Sequence, residues 1–147
     1  MRSATLTLAA LCLLLSSCAG MVKRRGTEMA AAQLQCPAEQ VTFTPSTDAR
    51  TPAKAEGCGK SDQAISHCIT SQGGSAGGGA SYASSCAVLW FSSAVDQAAF
   101  TTKCPKEQVT TEWLAPNLGV DACGERMTFT PTLSGWVLNT TSAPAGG

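Results

Sequence analysis

One segment of this chain occurs twice, and any fold has to accommodate both copies. Cys36-Pro37-Ala38-Glu39-Gln40-Val41-Thr42 returns as Cys104-Pro105-Lys106-Glu107-Gln108-Val109-Thr110, and Ala30-Ala31 before the first copy is answered by Ala98-Ala99 before the second. Downstream, Cys58-Gly59 returns as Cys123-Gly124. The paired cysteines stand 22 positions apart in the first copy and 19 in the second, so the length difference falls in the loop between them. Self-similarity of this kind means one supersecondary unit used more than once. The expected fold is α+β and β-rich: two tandem disulfide-stapled modules, each a short helix followed by antiparallel strands.

Each copy carries the local chemistry for that order. Glu28 to Leu34 and Asp96 to Thr102 combine alanines with an early acidic residue, which favours a short helix and complements its macrodipole. Pro37 and Pro105 then stop the helix and push the preceding cysteine toward extended backbone. Val41 to Thr44 and Val109 to Thr111 are rich in β-branched residues and alternate, as a half-buried strand does. Between the cysteines of each copy the reading is a variable loop. Gly59 and Gly124 permit a tight turn. Met127 to Thr130 and Trp136 to Leu138 supply further strands in the second copy, punctuated by Pro131 and Gly135.

The middle of the chain is different. Ser71 to Ser81 is built of Ser, Gly, Ala and Gln, the composition of a flexible connector. Ala87-Val88-Leu89-Trp90-Phe91 follows it as an apolar run of the length and branching of a buried strand. The expected organisation is residues 28–70 as module 1, 71–81 as a linker, and 82–147 as module 2 with that apolar strand added.

The start of the chain carries an address. Arg2 gives a positive first region, and Leu6 to Leu15 form an apolar stretch too short to span a bilayer, ending in small residues. That pattern is a secretory signal, so residues 1–17 are set apart from the fold. Leu15-Ser16-Ser17-Cys18 resembles the bacterial lipobox, which implies cleavage before Cys18 and acylation of its sulfur, with residues 18–27 as a lipid-anchored tether. A single acyl chain, at about 0.8 kcal/mol per buried methylene, holds a protein only marginally, whereas the multiple chains of a lipoprotein hold it durably. Ala19, standing where an aspartate would favour inner-membrane retention, implies the outer membrane as the destination, on its periplasmic side or at the cell surface.

Export places the remaining cysteines, Cys36, Cys58, Cys68, Cys86, Cys104 and Cys123, where disulfides form. Equivalent residues should make equivalent bonds, which selects Cys36 with Cys58 and Cys104 with Cys123. Cys68 and Cys86 are left for each other. Each bond, closing roughly twenty residues, is expected to contribute about 3 kcal/mol through the denatured state. No Cys-x-x-Cys or His-x-x-x-His spacing is present, so no metal site is expected, and His67 beside Cys68 is the one nucleus from which such a site could grow.

The repeats also resemble those of small cysteine-rich lipoproteins of myxobacterial-type bacteria, which carry Cys-Pro-x-x-Gln-Val-Thr followed by Gly-Cys-Gly and often a third cysteine. Cys36-Pro37, Gln40-Val41-Thr42, Gly57-Cys58-Gly59 and Cys68 match that pattern. The second copy departs from it, with Ala122 in place of the leading glycine and Leu133 where the third cysteine would fall. The resemblance implies a location and a stapled β-rich module, and no activity.

Function is constrained mostly by exclusion. Ten basic and ten acidic residues cancel, so no nucleic-acid partner is expected. Lys23-Arg24-Arg25 is a basic cluster just past the lipid site, suited to solvation or to anionic headgroups. His67 is the single histidine, no nucleophile-elbow sequence occurs, and the Gly-rich segment lacks the lysine of a phosphate loop, so neither catalysis nor a cofactor is expected. The repeated Glu39-Gln40 and Glu107-Gln108 suit the solvent face at a strand start. Two classes remain. One is a structural or protein-interaction module at the cell envelope. The other is a module binding envelope glycan or polymer through exposed aromatics, for which Trp90, Trp113, Trp136 and Tyr82 are candidates. Of these, Trp113 is the expected ligand contact and the other two tryptophans are expected in the core. An exposed cluster of aromatics would favour glycan; a lone exposed Trp would favour the interaction module.

Overall fold

The computed structural model describes residues 23–48, 50–74 and 80–142. The chain is strand-rich α+β, with two four-stranded antiparallel sheets in which strand order follows chain order. The signal segment 1–17 and Cys18 lie outside the described residues. Among those described, no helix is long and apolar enough to cross a membrane. The chain divides into two compact units, one comprising residues up to Pro45 together with Ala53–Ser61, the other Ser46–Pro52 together with Asp62 onward.

In the first unit, helix α1 covers residues 23–34. It starts earlier than the expected Glu28, so part of the anticipated tether is helical. The cause is local: Arg24 pairs with Glu28 at 3.2 Å, one turn on, and Thr27 Oγ1 donates to the Lys23 carbonyl at 3.0 Å. Ala30 and Leu34 are its buried face. Gly26 is needed inside this helix because a Cβ there would collide with the Phe43 ring. The helix closes where Gln35 turns left-handed (φ 52°), with Gln35 N–H donating to Ala32 O and Cys36 N–H to Ala31 O. That pair of bonds satisfies the orphan carbonyls of a helix end. Strands β1 (Val41–Thr44) and β2 (Ala53–Gly57) pair in the register Val41 with Gly57 and Thr44 with Lys54. Ala53 and Ala55 face inward, and Lys54 and Glu56 form an ion pair at 2.7 Å on the outside. Strand β3 (Lys60–Gly74) begins in this unit, where Lys60 Nζ donates to Leu34 O at 3.1 Å.

In the second unit, β3 pairs with β4 (Ala80–Trp90), and the ladder runs from Ala64 opposite Trp90 to Gly74 opposite Ala80. The stretch 71–81, expected as a linker from its composition, therefore carries the end of one strand and the start of the next; 75–79 lie outside the described residues. Small side chains gave the stretch no packing signal, yet a backbone ladder needs none. The apolar run divides as well: Leu89 is buried in β4, and Phe91 opens helix α2 (Phe91–Thr102). The start of α2 is capped from β3, since Asp62 accepts from Ser92 N–H at 3.2 Å and from Ser92 Oγ.

Strands β5 (Val109–Leu114), β6 (Asn117–Ala122), β7 (Glu125–Thr132) and β8 (Gly135–Ser142) complete the second sheet. The loops expected between the paired cysteines thus contain strands, β2 in one and β6 in the other. Leu118, Val120 and Ala122 alternate into the core, where Phe129, Leu118 and Val120 are the largest fully buried side chains. Ala94 and Ala98, both without exposure, let α2 lie close against this face. Trp136 is buried as expected, its ring edge-on to Phe91 at 5.9 Å and its Nε1 donating to Trp90 O at 2.9 Å.

The two Cys-Pro segments share their local geometry. A left-handed residue ends each helix, Gln35 at φ 52° and Lys103 at φ 58°. A short 3-10 turn follows, closed by Gln40 N–H on Pro37 O and by Gln108 N–H on Pro105 O, both at 2.9 Å. Each Cys-Gly forms a tight hairpin with positive φ at both positions, 50° and 72° in one copy and 54° and 85° in the other. The disulfides Cys36–Cys58 and Cys104–Cys123 span Cα distances of 5.9 and 5.8 Å. These are the two pairs selected by the repeat, and Cys68–Cys86 is the pair left over.

Candidate functional site

In both copies the glutamine of the repeated Glu-Gln dipeptide rests against a disulfide. Gln40 Oε1 rests 3.4 Å from Cys58 Sγ, and Gln108 Oε1 rests 3.5 Å from Cys123 Sγ. A disulfide sulfur has no proton, so this is a packing contact that recurs because the 3-10 turn and the disulfide recur together. Glu39 and Glu107 are exposed.

The residues singled out for chemistry converge elsewhere, in the second unit. His67 and Trp113 line one cavity of about 410 Å³, at the lower end of the roughly 300–1,000 Å³ common for small-molecule sites. His67 comes from β3, where strand alternation puts it on the same face as Ile65 and Ile69. Trp113 comes from β5, not from a loop, and it is half-buried rather than an exposed platform. Its indole packs against Phe91 at 5.8 Å, which ties it to the core. The indole Nε1 is closed off from solvent and has no acceptor among the described residues. A buried donor left without a partner costs about 1–3 kcal/mol.

The opposite wall is the β1–β2 connection, which composition gave no reason to single out. Ser46, Thr47, Asp48 and Thr51 line the cavity there, and Pro116 and Pro131 complete its apolar side with Ile65. The connection is held by its own polar groups. Ser46 Oγ lies 2.6 Å from Thr51 O, and Arg50 N–H donates to Asp48 Oδ1 at 2.8 Å. That backbone N–H, with a hydrogen bond from Thr51, holds the Asp48 carboxyl below its ordinary value of 3.8. The signal that could have found this wall is the Ser-Thr-Asp sequence at 46–48, whose side chains favour turns that close on their own backbone.

The Tyr82 side chain lies outside the described residues, and the other candidates are dispersed. Trp90 is half-buried in β4 and Trp136 is core. Phe100 is 87% exposed on α2 with no second exposed aromatic beside it in the helix. Cys68 and Cys86 are both exposed, whereas Cys36 and Cys104 are buried. Among the described residues no group of three or more His, Cys, Asp or Glu side chains is placed to hold a metal ion. A larger concavity of about 520 Å³ lies over β5, β6 and β7 and is lined by the Arg126–Glu112 ion pair, whose charges meet at 3.4 Å. No protein-family model, no curated protein and no solved structure matches this chain.

Proposed function

We propose that the chain is an exported lipoprotein, held at the outer membrane through an acylated Cys18. On this reading its body consists of two tandem disulfide-stapled modules serving as a structural or protein-interaction unit at the cell envelope. The observation that carries the interaction reading is that both edge strands of the second sheet present an exposed apolar side chain, Leu114 on β5 and Val137 on β8, with Leu133 exposed in the adjoining hairpin. An edge strand offers unpaired backbone donors and acceptors, and adding a partner's strand to it is a general mode of recognition. The tandem reading draws its support from the recurring helix end, 3-10 turn, Cys-Gly hairpin and disulfide. Three disulfides in a small chain suit an oxidising, exported setting. The lipid anchor rests on the lipobox resemblance at 15–18.

The test uses the full chain in cells. Cys18→Ala moves the protein from the membrane fraction to the soluble one, and a photo-crosslinker placed at position 114 in one variant and at position 137 in another gives a discrete adduct from the edge that binds the partner. Retention of Cys18→Ala in the membrane, or the absence of any adduct from either edge, contradicts the reading. The second reading, binding of envelope glycan, is not served by an exposed aromatic cluster among the described residues. It is favoured instead by one observation, the cavity that brings Trp113 and His67 together.

A further inference from the structure

We infer that the cavity between the 46–52 connection and the strands bearing His67 and Trp113 binds a small neutral polyhydroxy ligand of hexose type. This deepens the glycan reading and rests on it; it is independent of the anchor and of the edge strands. The lining is two-sided in the way a sugar ring is. Trp113, Ile65, Pro116 and Pro131 offer apolar surface for the C–H face of a ring. Ser66, Thr47 and Thr51 hydroxyls both donate and accept, the His67 imidazole adds a ring nitrogen, and the Asp48 carboxylate accepts from hydroxyl groups. Among the described residues no Lys or Arg lines the cavity, which disfavours an anionic ligand beside Asp48.

The described residues of the connection are already tied to one another, Ser46 Oγ to Thr51 O and Arg50 N–H to Asp48 Oδ1, which lowers the ordering cost of binding.

The experiment titrates the full, oxidised chain, labelled with nitrogen-15 in its tryptophan indoles, with glucose, N-acetylglucosamine and glucuronate. Trp113→Phe identifies the resonance. Glucose or N-acetylglucosamine is expected to shift the Trp113 signal with a dissociation constant of about 1 mM, the scale of a −4 kcal/mol interaction. Glucuronate is expected to bind more weakly. His67→Ala and Asp48→Asn, each checked for intact disulfides, are expected to weaken binding about tenfold, and the wild-type shift stands as evidence if one variant fails to fold. No shift with any sugar overturns the proposal, as does a shift that both folded variants leave unchanged. A chain that is retained on immobilised polysaccharide while Trp113 stays unmoved overturns this site and leaves the glycan reading; absence of both signals overturns both.

Discussion

Cys68 and Cys86 face each other as register partners across β3 and β4, and both are exposed. The other two disulfides each keep one cysteine inside, Cys36 at 7% and Cys104 at 5% exposure. Thiol–disulfide exchange needs access to a sulfur, so the accessible bond reacts first. Mild dithiol treatment is expected to open Cys68–Cys86 before the others, read by differential alkylation and mass spectrometry. Because the β3–β4 backbone ladder survives, the circular dichroism should stay close to native. Uniform reduction of all three bonds would show that accessibility does not govern them.

Gly57 and Ala122 occupy the same place before the Cys-Gly hairpin, yet they differ in room. A Cβ at Gly57 would lie 2.9 Å from Gln40 O and 3.2 Å from Cys36 Sγ, while Ala122 holds its methyl fully buried. Gly57→Ala is expected to cost about 1–3 kcal/mol by overpacking. Ala122→Gly should cost about 1 kcal/mol through lost packing and greater freedom of the unfolded chain. Urea denaturation of both variants checks the pair, and equal stability of Gly57→Ala and the wild type would contradict it.

The Asp48 carboxyl titrates below its ordinary 3.8 because Arg50 N–H and Thr51 bind its charged form. A carboxyl with a lowered folded value contributes stability above its unfolded value, and that contribution is lost as pH falls through the folded one. Acidification should therefore loosen the 46–52 wall at a pH below 3.8, and Asp48→Asn should remove that transition. Carbonyl-carbon NMR titration of Asp48 reads it directly. A midpoint at or above 3.8 would contradict the assignment.

Phe129 on β7 is fully buried, in the core shared with Ala94 and Ala98 of α2. Phe129→Ala is expected to destabilise the second unit by about 3–5 kcal/mol, the cost of a large cavity. Trp136→Phe should cost about 1–3 kcal/mol, since the Trp90 carbonyl loses the indole donor. Thermal denaturation orders the two; a milder effect at 129 than at 136 would place the core elsewhere.

Much of the scaffold was legible because its signals are local. The disulfide pairing followed from the repeat, Val41–Thr44 is a strand with the bounds its alternation suggested, and Pro37 and Pro105 lie just past their helices. What was missed depended on partners distant in sequence. Ala53 to Gly57 reads weakly as a strand because Ala, Lys and Glu favour helix, and it takes extended form through its pairing with β1. Asn117 to Ala122 did alternate, but Pro116 just before it and Gly119 within it are residues of loops. The candidate site was half visible: His67 and Trp113 stood out as rare side chains, whereas their meeting required β3, β5 and the 46–52 connection to be brought together.

The central claim, an acylated body stapled in two equivalent modules, is tested most directly by intact and peptide mass spectrometry of the natively expressed protein without reduction. The account predicts acyl chains on Cys18 as the first residue, with Cys36 joined to Cys58, Cys68 to Cys86 and Cys104 to Cys123. A bare Cys18, or a map in which the two repeated pairs are not equivalent, would contradict it.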